Sequence, residues 1–260
     1  MIRTISLLVC VFVWAVSAEA GVQTKKVTYK HGDLECHGFL AWDDSIDGPR
    51  PGVLVVHEWW GLNDYARSRA EQLAKLGYIA LAADMYGEGK TTEHPQEAGE
   101  MAGKVRANVE DWRKRATTAL EVLKSQPQCD KTKLAAIGYC FGGSTVQQLA
   151  FAGTDLKAVA SFHGGLVQPT PDQVKATKAE ILICNGADDS FIPADAIKSF
   201  RAALDKGAAK YQFISYPGAR HSFTVPEADT HGIDNIKYHK AADEKSWADM
   251  LRLFQETLGK

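Results

Sequence analysis

Leu134-Ala135-Ala136-Ile137-Gly138-Tyr139-Cys140-Phe141-Gly142-Gly143-Ser144-Thr145-Val146 is the stretch on which the fold turns. Leu134 to Ile137 is a short apolar run of the kind that forms a buried β-strand, and Ser144 onward reads as the start of a helix. Between them lies a tight turn flanked by glycines and carrying one cysteine. Strand, strained turn and helix is the context of the G-x-S-x-G nucleophile elbow, here with cysteine in the serine position. Small residues on both sides let neighbouring backbones approach closely. Such a turn lifts its side chain clear of the sheet and aims a helix N-terminus at it, which favours thiolate and supplies N–H groups to an oxyanion. Taken alone, the stretch also fits a buried apolar cysteine beside a Gly-rich loop. The surrounding sequence has to decide between the two.

Outward from this centre, apolar runs alternate with helical patterns. Val27 to Trp42 reads as a hairpin turning at His31-Gly32-Asp33. Gly52 to Val56 is a continuous apolar run typical of a strand covered on both faces. Asn63 to Leu76 is helical, with Asn63 or Asp64 as N-cap and Gly77 as terminator. Further strands are expected at Ile79–Ala83, Ala158–Phe162, Glu180–Cys184 and Tyr211–Tyr216. Pro95 to Lys124 supports one or two amphipathic helices, and other helices run from Pro193 to Lys206 and from Lys240 to Leu258. This alternation implies an α/β fold: a mainly parallel sheet, right-handed crossovers, helices on both faces and an N-terminal hairpin. With 260 residues, 45% of them apolar, and no internal linker or repeat, residues 21–260 read as one domain.

The first twenty residues read separately. Arg3 gives a short basic start, Ile5 to Val16 is apolar, and Ser17-Ala18-Glu19-Ala20 offers an A-x-A cleavage site. The apolar stretch is short for a membrane span, so the expectation is a signal peptide cut after Ala20 and a periplasmic or secreted protein without a membrane anchor. A net charge of −2 gives no indication of nucleic acid as a partner. An oxidising compartment permits disulfides, and Cys36, Cys129 and Cys184 are available if Cys140 stays free, although Cys184 sits in an apolar run.

In open α/β sheets, sites form just past the carboxyl ends of strands. There the chain places His57-Glu58-Trp59-Trp60-Gly61, then Cys140, then Asp188-Asp189, then Arg220-His221-Ser222-Phe223. Nucleophile, acid and histidine thus occupy successive strand ends, in the chain order of the α/β-hydrolases. Cysteine can attack an acyl carbon, histidine can take up and return a proton near neutrality, and a carboxylate fixes the imidazole tautomer. Backbone N–H groups of Phe141 and Trp59 are the expected oxyanion donors.

Five segments together resemble the dienelactone hydrolase family: His57–Asn63, Ala83–Gly87, Gly138–Gly143, Asp189–Pro193 and Tyr216–Phe223. The resemblance implies an α/β-hydrolase fold with a Cys140-Asp189-His221 triad, acting on small lactones or esters with neither metal nor organic cofactor. It selects Asp189 over Asp188, because the family aspartate stands just before an x-Phe-x-Pro element. It also implies that Glu58 contacts the thiol and accepts its proton when substrate arrives. By position alone, Trp59, Trp60, Tyr86 and Phe223 can either form an aromatic wall at the pocket or pack the core, and His57 and His163 can either line the pocket or be structural. His31, His94, His231 and His239 read as exposed. Cys36-His37 is half a metal site with no second pair. In characterised ring-cleavage members an arginine shortly after the catalytic histidine holds the substrate carboxylate. Ser222-Phe223-Thr224-Val225 contains none, and Arg67, Arg106 and Arg113 fall on helices that no motif places at the pocket. That predicts a preference for neutral substrates. The competing functions are a thiol-dependent redox protein and a non-catalytic binding protein on the same fold.

Overall fold

The computed structural model describes residues 21–260, so the expected signal peptide lies outside the described residues. Eight strands form one sheet in the order β1-β2-β4-β3-β5-β6-β7-β8. Strands β1 (Val22–His31) and β2 (Leu34–Asp43) make the hairpin, which starts earlier than expected and joins the sheet through antiparallel pairing of β2 with β4 (Ile79–Ala83). From β4 onward every pairing is parallel, through β3 (Arg50–Val56), β5 (Cys129–Tyr139), β6 (Ala158–Phe162), β7 (Glu180–Gly186) and β8 (Tyr211–Tyr216).

The period-two pattern of the strands divides the core between two faces. Val53, Val55, Ala80, Ala82, Ala135 and Ile137 join α1 (Asp64–Lys75) and α7 (Lys240–Leu258) on one side. Leu54, Val56, Leu81 and Ala136 face the other side, where α2 (Pro95–Arg106), α3 (Val109–Lys124) and α4 (Phe141–Phe151) pack, with Val174 of α5 (Pro171–Ala176) and Phe200 of α6 (Ala194–Lys206). Continuous apolar runs and two covered faces are therefore the same fact.

Local chemistry sets several boundaries. Asn63 caps α1 by accepting from the Ala66 N–H, and Gly77, at φ +84°, turns the chain into β4. Of the one or two helices expected between Pro95 and Lys124 there are two, the second capped by Asn108. Helix α4 begins at Phe141, not at Ser144 as the sequence suggested, because all eleven of its residues are buried and packing outweighs the poor helix propensity of Gly142 and Gly143. Helix α5, which the sequence reading did not include, is fixed by a Thr170/Gln173 capping box.

Candidate active site

Cys140 sits between β5 and α4 with φ +50° and ψ −109°, a conformation that costs a non-glycine residue about 1–3 kcal/mol and needs support from its surroundings. The support is visible. The Cys140 N–H donates to the Phe162 carbonyl at 3.0 Å and is 3.2 Å from His163 Nδ1. The glycines are a packing requirement: a Cβ on Gly142 would lie 2.2 Å from the Val56 carbonyl oxygen, and one on Gly138 would lie 2.0 Å from that of Gly142. Neither the Phe141 N–H nor the Trp59 N–H donates to another group among the described residues, which leaves both free for a developing oxyanion.

His221 follows β8, and its Nδ1 lies 2.7 Å from Asp189 Oδ2. The other carboxylate oxygen accepts from the Phe191 N–H at 2.9 Å and from Asn235 Nδ2 at 2.8 Å, so Asp189 is fixed from three directions. Burial works to raise the Asp189 pKa, but His221, Asn235 and the Phe191 N–H outweigh it and hold the carboxyl below its ordinary value. Burial likewise opposes charge on His221. The Cys140 charge, the Asp189 hydrogen bond and a further interaction with Cys140 reverse this and push the imidazole up to about 10. Asp188 is exposed, so the geometry brings Asp189 and not its neighbour to the histidine.

Glu58 is only 3% exposed, and its placement differs from expectation. Among the described residues its hydrogen bond goes to Ser222, whose Oγ donates to Oε1 at 2.6 Å, rather than to Cys140. The resting carboxyl is thus tied to the loop carrying His221, because that hydroxyl is the donor within reach. Burial raises the Glu58 pKa, against the Ser222 hydrogen bond, the His221 charge and Trp60. A carboxyl with a raised pKa beside an imidazole is suited to exchanging a proton.

The candidate pocket residues divide. Trp60 is buried and stacks on His231 at 4.1 Å, so His231 is not the free surface residue anticipated. With Glu58, Tyr65, His94 and Glu227, these two line a cavity of about 1110 Å³. Tyr86 donates from its OH to the Trp59 carbonyl at 2.9 Å, and burial, followed by the charge of nearby Cys140, raises its pKa. Phe223 and His163 do not line the pocket. Both are fully buried: Phe223 packs against Tyr216 in the core and His163 lies under the elbow, as the inward side of their strand ends dictates. His57 is buried too, with Nε2 accepting from the Met85 N–H at 3.2 Å. His31 is tied to Asp111 at 2.7 Å, and His239 caps α7.

Three residues carried no local signal in the sequence. Ser222, Asn235 and Thr224 gain their roles only from long-range contacts. Phe191 is 52% exposed with its ring centroid 5.1 Å from that of His221, and a large apolar side chain two residues past Asp189 is the signal the sequence offers for it. Arg106, at the end of α2, lies over the Phe141 ring at 5.3 Å. It is thus a cation near the elbow, which its helical position had argued against.

The model of the dienelactone hydrolase family matches residues 36–258, nearly all of the described chain. The chain belongs to the dienelactone hydrolase family. Among relatives, it is 31% identical over 225 residues to an Escherichia coli K12 protein named "Putative carboxymethylenebutenolidase", covering 82% of this chain and 80% of that one. A Synechocystis protein of the same name is 27% identical, with 91% and 98% covered. Among solved structures, the dienelactone hydrolase-like promiscuous phosphotriesterase P91 from metagenomic libraries superposes with a TM-score of 0.88 and 38% identity, covering 91% of this chain and 99% of that one. A protein titled m3DLH superposes at 0.89 with 37% identity. The α/β-hydrolase sheet and hairpin expected from the sequence are those of this family, and the chain is an ester or lactone hydrolase of that class.

Proposed function

We propose that this hydrolase cleaves a small lactone or carboxylic ester through Cys140, His221 and Asp189, by way of a thioester. The observation that carries this reading is the His221–Asp189 pair at 2.7 Å with Cys140 close enough for its charge to raise the imidazole. The Cys140 thiolate attacks the acyl carbon, and the carbonyl oxygen takes up negative charge opposite the N–H groups of Phe141 and Trp59. As the tetrahedral species collapses, the C–O bond to the leaving group breaks and the departing oxygen takes the proton from His221. Neutral His221 then removes a proton from water, the resulting hydroxide attacks the thioester, and Cys140 leaves as thiolate with the acid product. Asp189 holds Nδ1 protonated throughout, so Nε2 does the proton transfer. Glu58 receives the thiol proton when substrate displaces its Ser222 contact, and returns it to the Cys140 thiolate after the acid product has left.

Quenching the protein during turnover of a p-nitrophenyl ester and mapping the mass increment tests the scheme. One acyl group on the peptide containing Cys140, absent in Cys140→Ala together with turnover, is expected. Retained turnover in Cys140→Ala removes Cys140 as nucleophile; a disulfide or sulfenic acid in place of the acyl group supports thiol redox chemistry instead.

A further inference from the structure

A buried hydrogen-bonded chain runs from the elbow to Arg69 on α1 through side chains that the hydrolysis scheme does not use. The Cys140 N–H points at His163 Nδ1, 3.2 Å away, and His163 Nε2 lies 2.8 Å from Thr224 Oγ1. Thr224 Oγ1 is 2.6 Å from the Tyr65 hydroxyl, which accepts from Arg69 Nε at 3.2 Å. Arg69 is anchored by Asp243 and by the Thr224 carbonyl, and its guanidinium lies over the rings of Tyr65 and Trp247.

The two ends of this chain are fixed donors, a backbone amide and a guanidinium, and neither can reverse. An amide facing Nδ1 requires a lone pair there, so the imidazole proton must sit on Nε2 and point at Thr224. We propose that His163 is a positioning residue for the nucleophile, locked by Thr224 as the neutral Nε2–H tautomer so that its Nδ1 lone pair holds the strained Cys140 amide. The proposal rests on Cys140 being the nucleophile, as argued above.

Three further observations point the same way. His163 has φ +40°, so two non-glycine residues in the left-handed half of the map meet through this hydrogen bond. Each is a conformation that persists only where neighbours over-determine it. The ring is fully buried between the Phe223 edge at 5.2 Å and the Tyr139 ring at 6.0 Å, which fixes its plane. Protonation is opposed as well: a second N–H on the ring would face the Cys140 N–H. Burial, followed by the charges of His221 and Arg69, holds the pKa well below the ordinary histidine value, although Glu58 Oε1 lies 3.7 Å from Nδ1. The tautomer therefore depends on Thr224 rather than on pH.

Thr224→Val keeps the side-chain shape and removes the acceptor, while Thr224→Ser keeps the hydroxyl. Long-range 15N–1H correlation of the histidine rings should show His163 protonated on Nε2 in the native protein and in Thr224→Ser. In Thr224→Val the Nδ1–H form should appear. That variant should lose roughly tenfold in kcat, the worth of one ordinary hydrogen bond, with KM within about twofold. The rate of Cys140 alkylation by iodoacetamide should change in parallel, and Thr224→Ser should restore both. A native His163 protonated on Nδ1 overturns the proposal, and so does a folded Thr224→Val with native kcat and alkylation rate. Should Thr224→Val not fold, His163→Phe, which keeps a ring but no lone pair, must show the same loss. The NMR and alkylation readouts need no ester, so a protein that shows both effects yet hydrolyses no ester refutes the proposed function and leaves the His163 assignment standing.

Discussion

Replacing Asp189 with asparagine is the sharpest perturbation of the proposed site, because shape is conserved and only charge and one donor change. Asp189 Oδ1 already accepts from Phe191 and Asn235, so in the variant the amide oxygen stays with those two donors. The amide nitrogen must then face His221 Nδ1, which becomes an acceptor and sends the imidazole proton to Nε2, toward Cys140. A neutral imidazole whose Nε2 already carries the proton cannot take one from the water that must hydrolyse the thioester. The native imidazole stands at about 10 against an ordinary 6.5. That difference amounts to roughly 5 kcal/mol of preference for the charged form, shared between Cys140 and Asp189. A charge-assisted hydrogen bond accounts for about 1.5–3 kcal/mol of such a total, or one to two powers of ten in rate. Tautomer reversal adds to this, up to the ~10⁴ known for the equivalent change in a serine triad. The expected fall in kcat/KM for a p-nitrophenyl ester is therefore between about 10² and 10⁴. Stability should carry a matching signature. A histidine with a raised folded pKa stabilises the native state fully below its unfolded value of 6.5 and loses that contribution as pH rises through about 10. Denaturant titrations of Asp189→Asn should fall furthest below the native protein on the acid side of 6.5 and converge with it toward 10. Asp188→Asn, altering an exposed side chain, serves as the control. Activity of Asp189→Asn within about threefold of native, or a larger loss in Asp188→Asn, would refute the assignment of Asp189.

Glu58→Gln should slow acylation in single-turnover kinetics far more than it weakens substrate binding; an unchanged acylation rate reduces Glu58 to a structural acid. Since burial raises its pKa, ionised Glu58 destabilises the native state at neutral pH and not below its ordinary value of 4.5. Glu58→Gln should accordingly be more stable than native near pH 7, and the gain should vanish in acid denaturation series. The absence of arginine after His221 predicts that kcat/KM for a neutral lactone exceeds that for its carboxylated match. If the order is reversed, Arg106 beside Phe141 is the cation responsible, and Arg106→Gln should abolish the preference for the carboxylated compound.

Strand identities were legible because a strand buried on both faces has to be apolar throughout, as in Val53 to Val56. That Cys140, Asp189 and His221 each follow the carboxyl end of a strand was legible, because the strand ends themselves can be read from short-range pattern. The start of α4 was not, since Gly142 reveals its purpose only against the Val56 carbonyl and Gly143 only against Gly164 and Ser161. His163 and Phe223 were undecided for a related reason. A residue just past a strand can turn toward the cavity or beneath it, and one-dimensional pattern does not record which. Ser222, Asn235 and Thr224 contact residues 164, 46 and 61 positions away, so no local window could find them.

Those separations have a consequence for how activity is acquired. Glu58 follows β3 and Ser222 follows β8, and β5, β6 and β7 lie between these strands in the sheet. Loop closure over such distances is slow relative to forming local helices and adjacent strand pairs. The elbow can be shaped once β5, β6 and α4 are together, but its partner histidine arrives only when the last strand and the Asn235 segment have docked. During refolding, catalytic competence is therefore a report on completion of the whole sheet, and it should lag behind every spectroscopic measure of helix content.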